Sequence, residues 1–244
     1  MDIRHAPQRV EQTIAATVGV ARSRPLRLLL WIMLGLLVVR PALISPESLI
    51  GADALFLGGL VLVLRELRIS RTAAIVAGVL LVAAVAARIV DATTDASAAT
   101  VAASLATAAF VAYVLALLLA FVVRSAEITQ NSVLAAICVY ILLGVVWGFA
   151  YQVVDELDPA AFNVSLGPNA QTDSAVSEGA LRYFSMITLT TVGYGDIVPV
   201  SKEARALASL QALLAQIYLA AIVARIVGIE VANSVARRDA ERDR

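Results

Sequence analysis

The chain of 244 residues is 60% hydrophobic and 16% charged, where soluble domains average roughly 45 to 50% apolar and about 25% charged. That balance excludes an ordinary water-soluble domain and points to a bilayer. Nineteen Lys and Arg offset nineteen Asp and Glu, so the overall charge implies neither nucleic acid nor an acidic substrate as partner. One cysteine, Cys138, and one histidine, His5, exclude an intrachain disulfide and a thiolate metal cluster. Cys138 lies in an apolar run and reads as a small buried hydrophobe. No cofactor is expected.

In chain order, residues 1–24 form a basic arm in which 10–21 is either a thin amphipathic helix or disordered. Six apolar runs follow, at about 25–44, 46–64, 72–90, 96–123, 128–154 and 204–229, each of the order of the ~20 residues that cross roughly 30 Å of hydrocarbon. The first is the weakest, bracketed by Arg27 and Arg40 and interrupted by Pro41. It has some character of a signal peptide but no small-x-small cleavage site, and cleavage would leave the later spans in the same orientation. The fourth is long and uncharged.

Basic residues sort to one side of these runs. Arg4, Arg9, Arg22, Arg24 and Arg27 precede the first, Arg65, Arg68 and Arg71 join the second to the third, Arg124 joins the fourth to the fifth, and Arg237, Arg238, Arg242 and Arg244 follow the last. Asp91, Asp95, Asp155, Glu156, Asp158, Asp173 and Glu178 fall on the other side. By the positive-inside rule both termini are cytoplasmic and the protein is multi-pass in the plasma membrane, in contact with its lipids.

Between the fifth and sixth runs the chain is too long for a turn. It contains Leu166, Gly167, Pro168 and Asn169, then an apolar-polar segment at 177–189, then Thr190, Thr191, Val192, Gly193, Tyr194, Gly195 and Asp196. Non-helical backbone is tolerated at membrane depth only where protein buries it or water lines it, so a half-span helix followed by a glycine loop implies a pore. To strip water from an ion, successive carbonyls must face one axis. Strand carbonyls alternate, so alternate residues must take left-handed dihedrals, which Gly193 and Gly195 adopt without a Cβ penalty. Val192 and Tyr194 then turn outward against the pore helix, and Thr191 adds a hydroxyl oxygen. The acidic outer loop either concentrates cations or is simply solvated.

The string from Thr191 to Asp196, preceded by Leu189 and Thr190 and flanked by two spans, resembles the signature of the tetrameric potassium channels. The resemblance covers about 128–229. It implies that Thr191, Val192, Gly193 and Tyr194 coordinate K+ and that Gly195 completes the ion-coordinating filter at its outer mouth. Thr190 and Asp196 support that filter, and three further copies of the chain complete the pore. Tyr194 occupies the position at which nonselective relatives depart from the pattern. The fold expected is an all-α membrane protein of six transmembrane helices with a re-entrant pore helix. Its parts are an arm at 1–24, a four-helix domain at 25–123, a pore domain at 124–230 and a short tail at 231–244.

Six spans with a terminal pore resemble voltage-gated channels, yet the fourth run lacks their regularly spaced arginines, so a voltage sensor of that design is not expected. Asp53 and Arg88, near the outer ends of their spans, either pair or snorkel separately. Arg225 and Glu230 mark the inner end of the last run, as mouth-lining or anchoring groups. That run has no glycine between Asp196 and Gly228, so a glycine hinge is missing and Ala215 and Gln216 stand at the candidate gate or cavity. No nucleotide-binding or ion-sensing domain is expected in the short tail. Competing functions are a less selective cation channel, a non-conducting accessory subunit, and a transporter or membrane enzyme, the last lacking paired broken spans and midplane catalytic groups.

Overall fold

The computed structural model describes residues 23–39, 46–67, 69–94, 96–125, 129–164 and 178–242. The amphipathic stretch at 10–21, His5, Arg40, Pro41, Arg68, Asp95, the turn at 166–169 and Asp173 lie outside the described residues. Seven helices and one small sheet occur among the described residues: α1 Ser23–Val39, α2 Pro46–Glu66, α3 Arg71–Thr93, α4 Ser97–Arg124, α5 Gln130–Leu157, β1 Phe162–Val164, α6 Glu178–Leu189, β2 Ile197–Pro199 and α7 Lys202–Arg242. Six of the helices coincide with the six apolar runs, and the seventh, α6, is the expected half-span.

Two compact units divide the chain, Met1–Val82 and Ala83–Arg244. In the first, α1 buries Leu26, Leu29 and Met33, and α2 buries Leu60, Val63 and Leu64, both at the three-and-four spacing of a helical face. Small size lets the pair meet: a Cβ on Gly59 would sit 3.2 Å from Ile32 Cδ1.

In the second unit α4 lies along α5, burying Phe110, Val111, Val114, Leu118 and Phe121 from one helix and Ala135, Val139 and Leu142 from the other. A capping box starts α5, with Thr129 Oγ1 accepting from Ser132 N and the Ser132 hydroxyl serving the Thr129 amide. By length and composition, four helices among the described residues can cross a membrane: α3, α4, α5 and the Lys202–Ile229 part of α7. The apolar part of α1, Leu26–Val39, is shorter. With 41 residues, α7 extends well past that apolar stretch, about 60 Å in all.

The all-α expectation needs one amendment. β1 and β2 form an antiparallel pair with Phe162 opposite Pro199, Asn163 opposite Val198 and Val164 opposite Ile197. Three-residue strands are too short to show a period of two, and Pro199 is tolerated because a two-stranded ribbon has only edges. The pair ties the segment after α5 to the segment after residue 196.

Candidate functional site: the loop at the end of α6

Twelve residues give α6 a length of about 18 Å, half a span. Its close seat on α5 depends on two glycines one turn apart. A Cβ on Gly148 would lie 3.0 Å from Arg182 Cγ and 3.3 Å from Arg182 Cα, and one on Gly144 would lie 2.8 Å from the end of Met186. Above this contact Tyr151, Phe162 and Phe184 form an edge-to-face triangle with centroids 5.0 to 5.6 Å apart. Leu181, Ile187, Ile197, Ala161 and Ala204 complete the apolar cluster, which joins α5, the sheet, α6 and the start of α7.

A helix leaves its last four carbonyls without helical partners. Here all four accept within the protomer. Thr190 N donates to Met186 O at 3.0 Å, Val192 N and Gly193 N to Ile187 O at 2.9 and 3.3 Å, and Thr191 N to Thr188 O at 3.1 Å. The Tyr140 hydroxyl, reaching from α5, donates to Leu189 O at 2.9 Å. The Thr190 hydroxyl also returns to Met186 O at 2.8 Å. What α6 offers beyond its end is therefore its dipole field, negative at this terminus, rather than a free carbonyl.

The loop then alternates in hand. Thr191 has φ of 59°, Gly193 52° and Gly195 81°, while Val192 and Tyr194 between them stay at negative φ. Alternating hand cancels the alternation of a strand and turns successive carbonyls toward one side. The two glycines match the sequence expectation. Thr191 does not follow from composition, because a β-branched residue in this region is strained by about 1 to 3 kcal/mol. Its amide bond to Thr188 O helps to hold it there.

Asp196 fixes the outer end of the loop. Its Oδ2 accepts from the Tyr183 hydroxyl of α6 at 2.8 Å, and its Oδ1 accepts from Ile197 N at 3.1 Å, the first residue of β2. Both ends of the loop thus hang on α6. Within the protomer Val192 is 50% exposed and Tyr194 74%, so the described residues of one chain leave both side chains largely uncovered.

On α7 the residues turned into the protomer follow one stripe: Ala204, Gln211 and Ala215 buried, then Tyr218, Ile222, Arg225 and Ile229 half-buried. The ring of Tyr218 stacks on Tyr140 at 6.1 Å and its hydroxyl donates to Ala136 O at 2.7 Å. Ala215 and Gln216 therefore separate, the first facing α5 in this stripe and the second exposed. Toward the C-terminal end of the apolar part of α7, Arg225 donates to the Ser125 carbonyl at the C-cap of α4, where a cation suits the helix dipole. The side chain of Glu230 lies outside the described residues.

Arg88 donates to Thr107 Oγ1 of α4 at 3.5 Å and holds its guanidinium 5.5 Å from the Phe149 ring centroid. Arg182 of α6 approaches the same ring at 4.7 Å. Asp53 belongs to the first unit and is half-buried there. Sequence reasoning missed the polar contacts of α6 to its neighbours, since Tyr140, Tyr151 and Gln211 stand in apolar runs and Ser185 in the mixed segment between them, none within a motif.

No curated protein and no solved structure matches the chain. Residues 138–231 match the family model described as ion channel, a stretch running from the middle of α5 through α6 and the loop into α7, so the segment that carries this site is similar to an ion channel within a largely helical, multi-span membrane protein.

Proposed function

We propose that the chain is one subunit of a tetrameric potassium-selective channel of the plasma membrane. Thr191, Val192, Gly193, Tyr194 and Gly195 form its filter, braced by Thr190 and Asp196. The observation that carries the reading is the alternation of positive φ at Thr191, Gly193 and Gly195 in a loop suspended from a half-span helix. A row of carbonyls facing one side replaces the hydration shell of a bare monovalent cation. One such row cannot encircle an ion, and the exposure of Val192 and Tyr194 in a single protomer is accounted for by neighbouring copies around a fourfold axis. K+ is the permeating substrate, and transport is passive.

The same reading includes six spans, cytoplasmic termini and a membrane part that does not move charge. Cysteines at positions 95 and 173 should label from outside and one at 68 from inside; labelling on reversed sides rejects the orientation.

Flux from proteoliposomes that contain only this chain tests conduction and self-assembly together. Potassium efflux, with a bi-ionic reversal potential set by K+ over Na+, is the expected result. Equal permeation of the two ions would identify a less selective cation channel, and a tetramer without flux would identify an accessory subunit.

A further inference from the structure

Behind the filter helix lies a closed polar network of buried side chains. Gln211 of α7, Ser185 of α6 and Tyr151 of α5 are all 0% exposed. The Tyr151 hydroxyl donates to Gln211 Oε1 at 2.5 Å. Gln211 Nε2 donates to Ser185 O at 3.0 Å and to Ser185 Oγ at 2.8 Å, and the Ser185 hydroxyl donates in turn to Gly144 O at 2.7 Å. The direction of each bond is fixed by chemistry: Ser185 O is acceptor only, so the amide nitrogen must face it and the amide oxygen must face the phenol.

A buried amide is costly in a membrane protein when any of its bonds is lost, and an apolar side chain would fill the same space. The position of the network on α6 gives the amide a use. Ser185 lies between Tyr183, which holds Asp196, and Ile187, whose carbonyl holds Val192 and Gly193. Tyr183 is roughly 200° around the helix from Ser185, so α6 is held on one side by the filter and on the other by Gln211. Rotation or withdrawal of α7 pulls on Ser185 and therefore on the helix from which both ends of the filter hang.

Resting on the channel reading above, we infer that Gln211 is a positioning residue of the filter, linking the inner helix to the conducting state through Ser185. Gln211→Met keeps volume and removes every bond of the amide. Tyr151→Phe removes one. The triple variant Gln211→Met, Tyr151→Phe, Ser185→Ala removes donors and acceptors together, which restores much of the stability lost by leaving groups unpaired.

The readout is the decline of K+ current during sustained opening, measured at high and at low external K+, beside the melting temperature of the tetramer. Ions in the filter brace it, so a positioning defect shows most at low K+. Gln211→Met should speed the decline roughly tenfold at low K+ and much less at high K+, the factor being about that of one buried bond. Tyr151→Phe should fall between it and the parent. The triple variant should recover the melting temperature and keep the fast decline. A triple variant that declines as slowly as the parent, or a K+-independent change in all three, would reduce the network to stability alone and overturn the inference. If the parent itself carries no K+ current, the channel reading falls, and the inference falls with it.

Discussion

An alanine at position 195 would place its methyl group in open space, for among the described residues, its two chain neighbours aside, no heavy atom lies within 4 Å of where that Cβ would be. The cost is then one of dihedrals: at φ of 81° an L-residue loses roughly 1 to 2 kcal/mol, once in each subunit, and the loop relieves it by turning a carbonyl away from the axis. Gly195→Ala should therefore assemble as the parent does while losing potassium conduction or selectivity, as checked by crosslinked tetramer and reversal potential. Parent-like K+ over Na+ conduction in this variant would remove the filter assignment. Tyr183→Phe probes the same loop from its support. Deleting one exposed hydroxyl breaks the bond to Asp196 without touching packing, so melting should change by less than about 1 kcal/mol while sustained conduction shortens. Unchanged conduction would show that Ile197 N alone is enough to hold Asp196. At this scale the sequence was readable where chemistry is local: glycines at 193 and 195 announced their own dihedrals. Thr191 did not, because its positive φ goes with the hydrogen bond of its amide to Thr188 O at the end of α6, not with its side chain.

Elements were legible where a period or a run could be long enough to show. The six apolar runs became helices whose ends lie within about five residues of those expected, except that α7 runs on to Arg242, past the expected end at 229, and the half-span α6 followed from the need to return the chain. Strands β1 and β2 were hidden, since each has three residues and its partner lies more than thirty positions away. The seat of α6 on α5 was hidden for a different reason: Gly144 and Gly148 look like the small residues common in membrane helices, and only the structure assigns them a neighbour. They are not equivalent. At Gly144 an added Cβ meets the end of Met186, which can swing aside; at Gly148 it meets the Cα of Arg182 at 3.3 Å, and backbone yields only if α6 moves. Gly148→Ala should therefore be the more destabilising of the two, by about 1 to 3 kcal/mol as overpacking typically costs, with Gly144→Ala below it. Thermal melting of the detergent-solubilised tetramer gives the order, and the reverse order would show that α6 rides on the Met186 contact instead.

At the scale of the whole molecule the question is what voltage can do to it. A conventional sensor works because several charges cross the membrane field, and each full crossing contributes about 2.3 kcal/mol per 100 mV, about a 50-fold change in an equilibrium. In the second unit α4 has no charge before Arg124 at its last position, so sliding it moves nothing through the field. Two arginines of that unit on its long apolar helices are held in place: Arg88 is engaged by Thr107 and the Phe149 ring, and Arg225 is tied to the end of α4. Neither is repeated at three-residue spacing, which is what lets successive charges exchange partners as a helix advances. Open probability should therefore change far less than 50-fold across any 100 mV interval between strongly negative and strongly positive potentials. The measurement is single-channel recording from purified protein in symmetrical K+ without divalent or polyamine blockers, so that block cannot imitate gating. A steep curve with an effective charge of several elementary units under those conditions would mean that charge does cross the field, and Arg88 would be the first residue to neutralise in locating it.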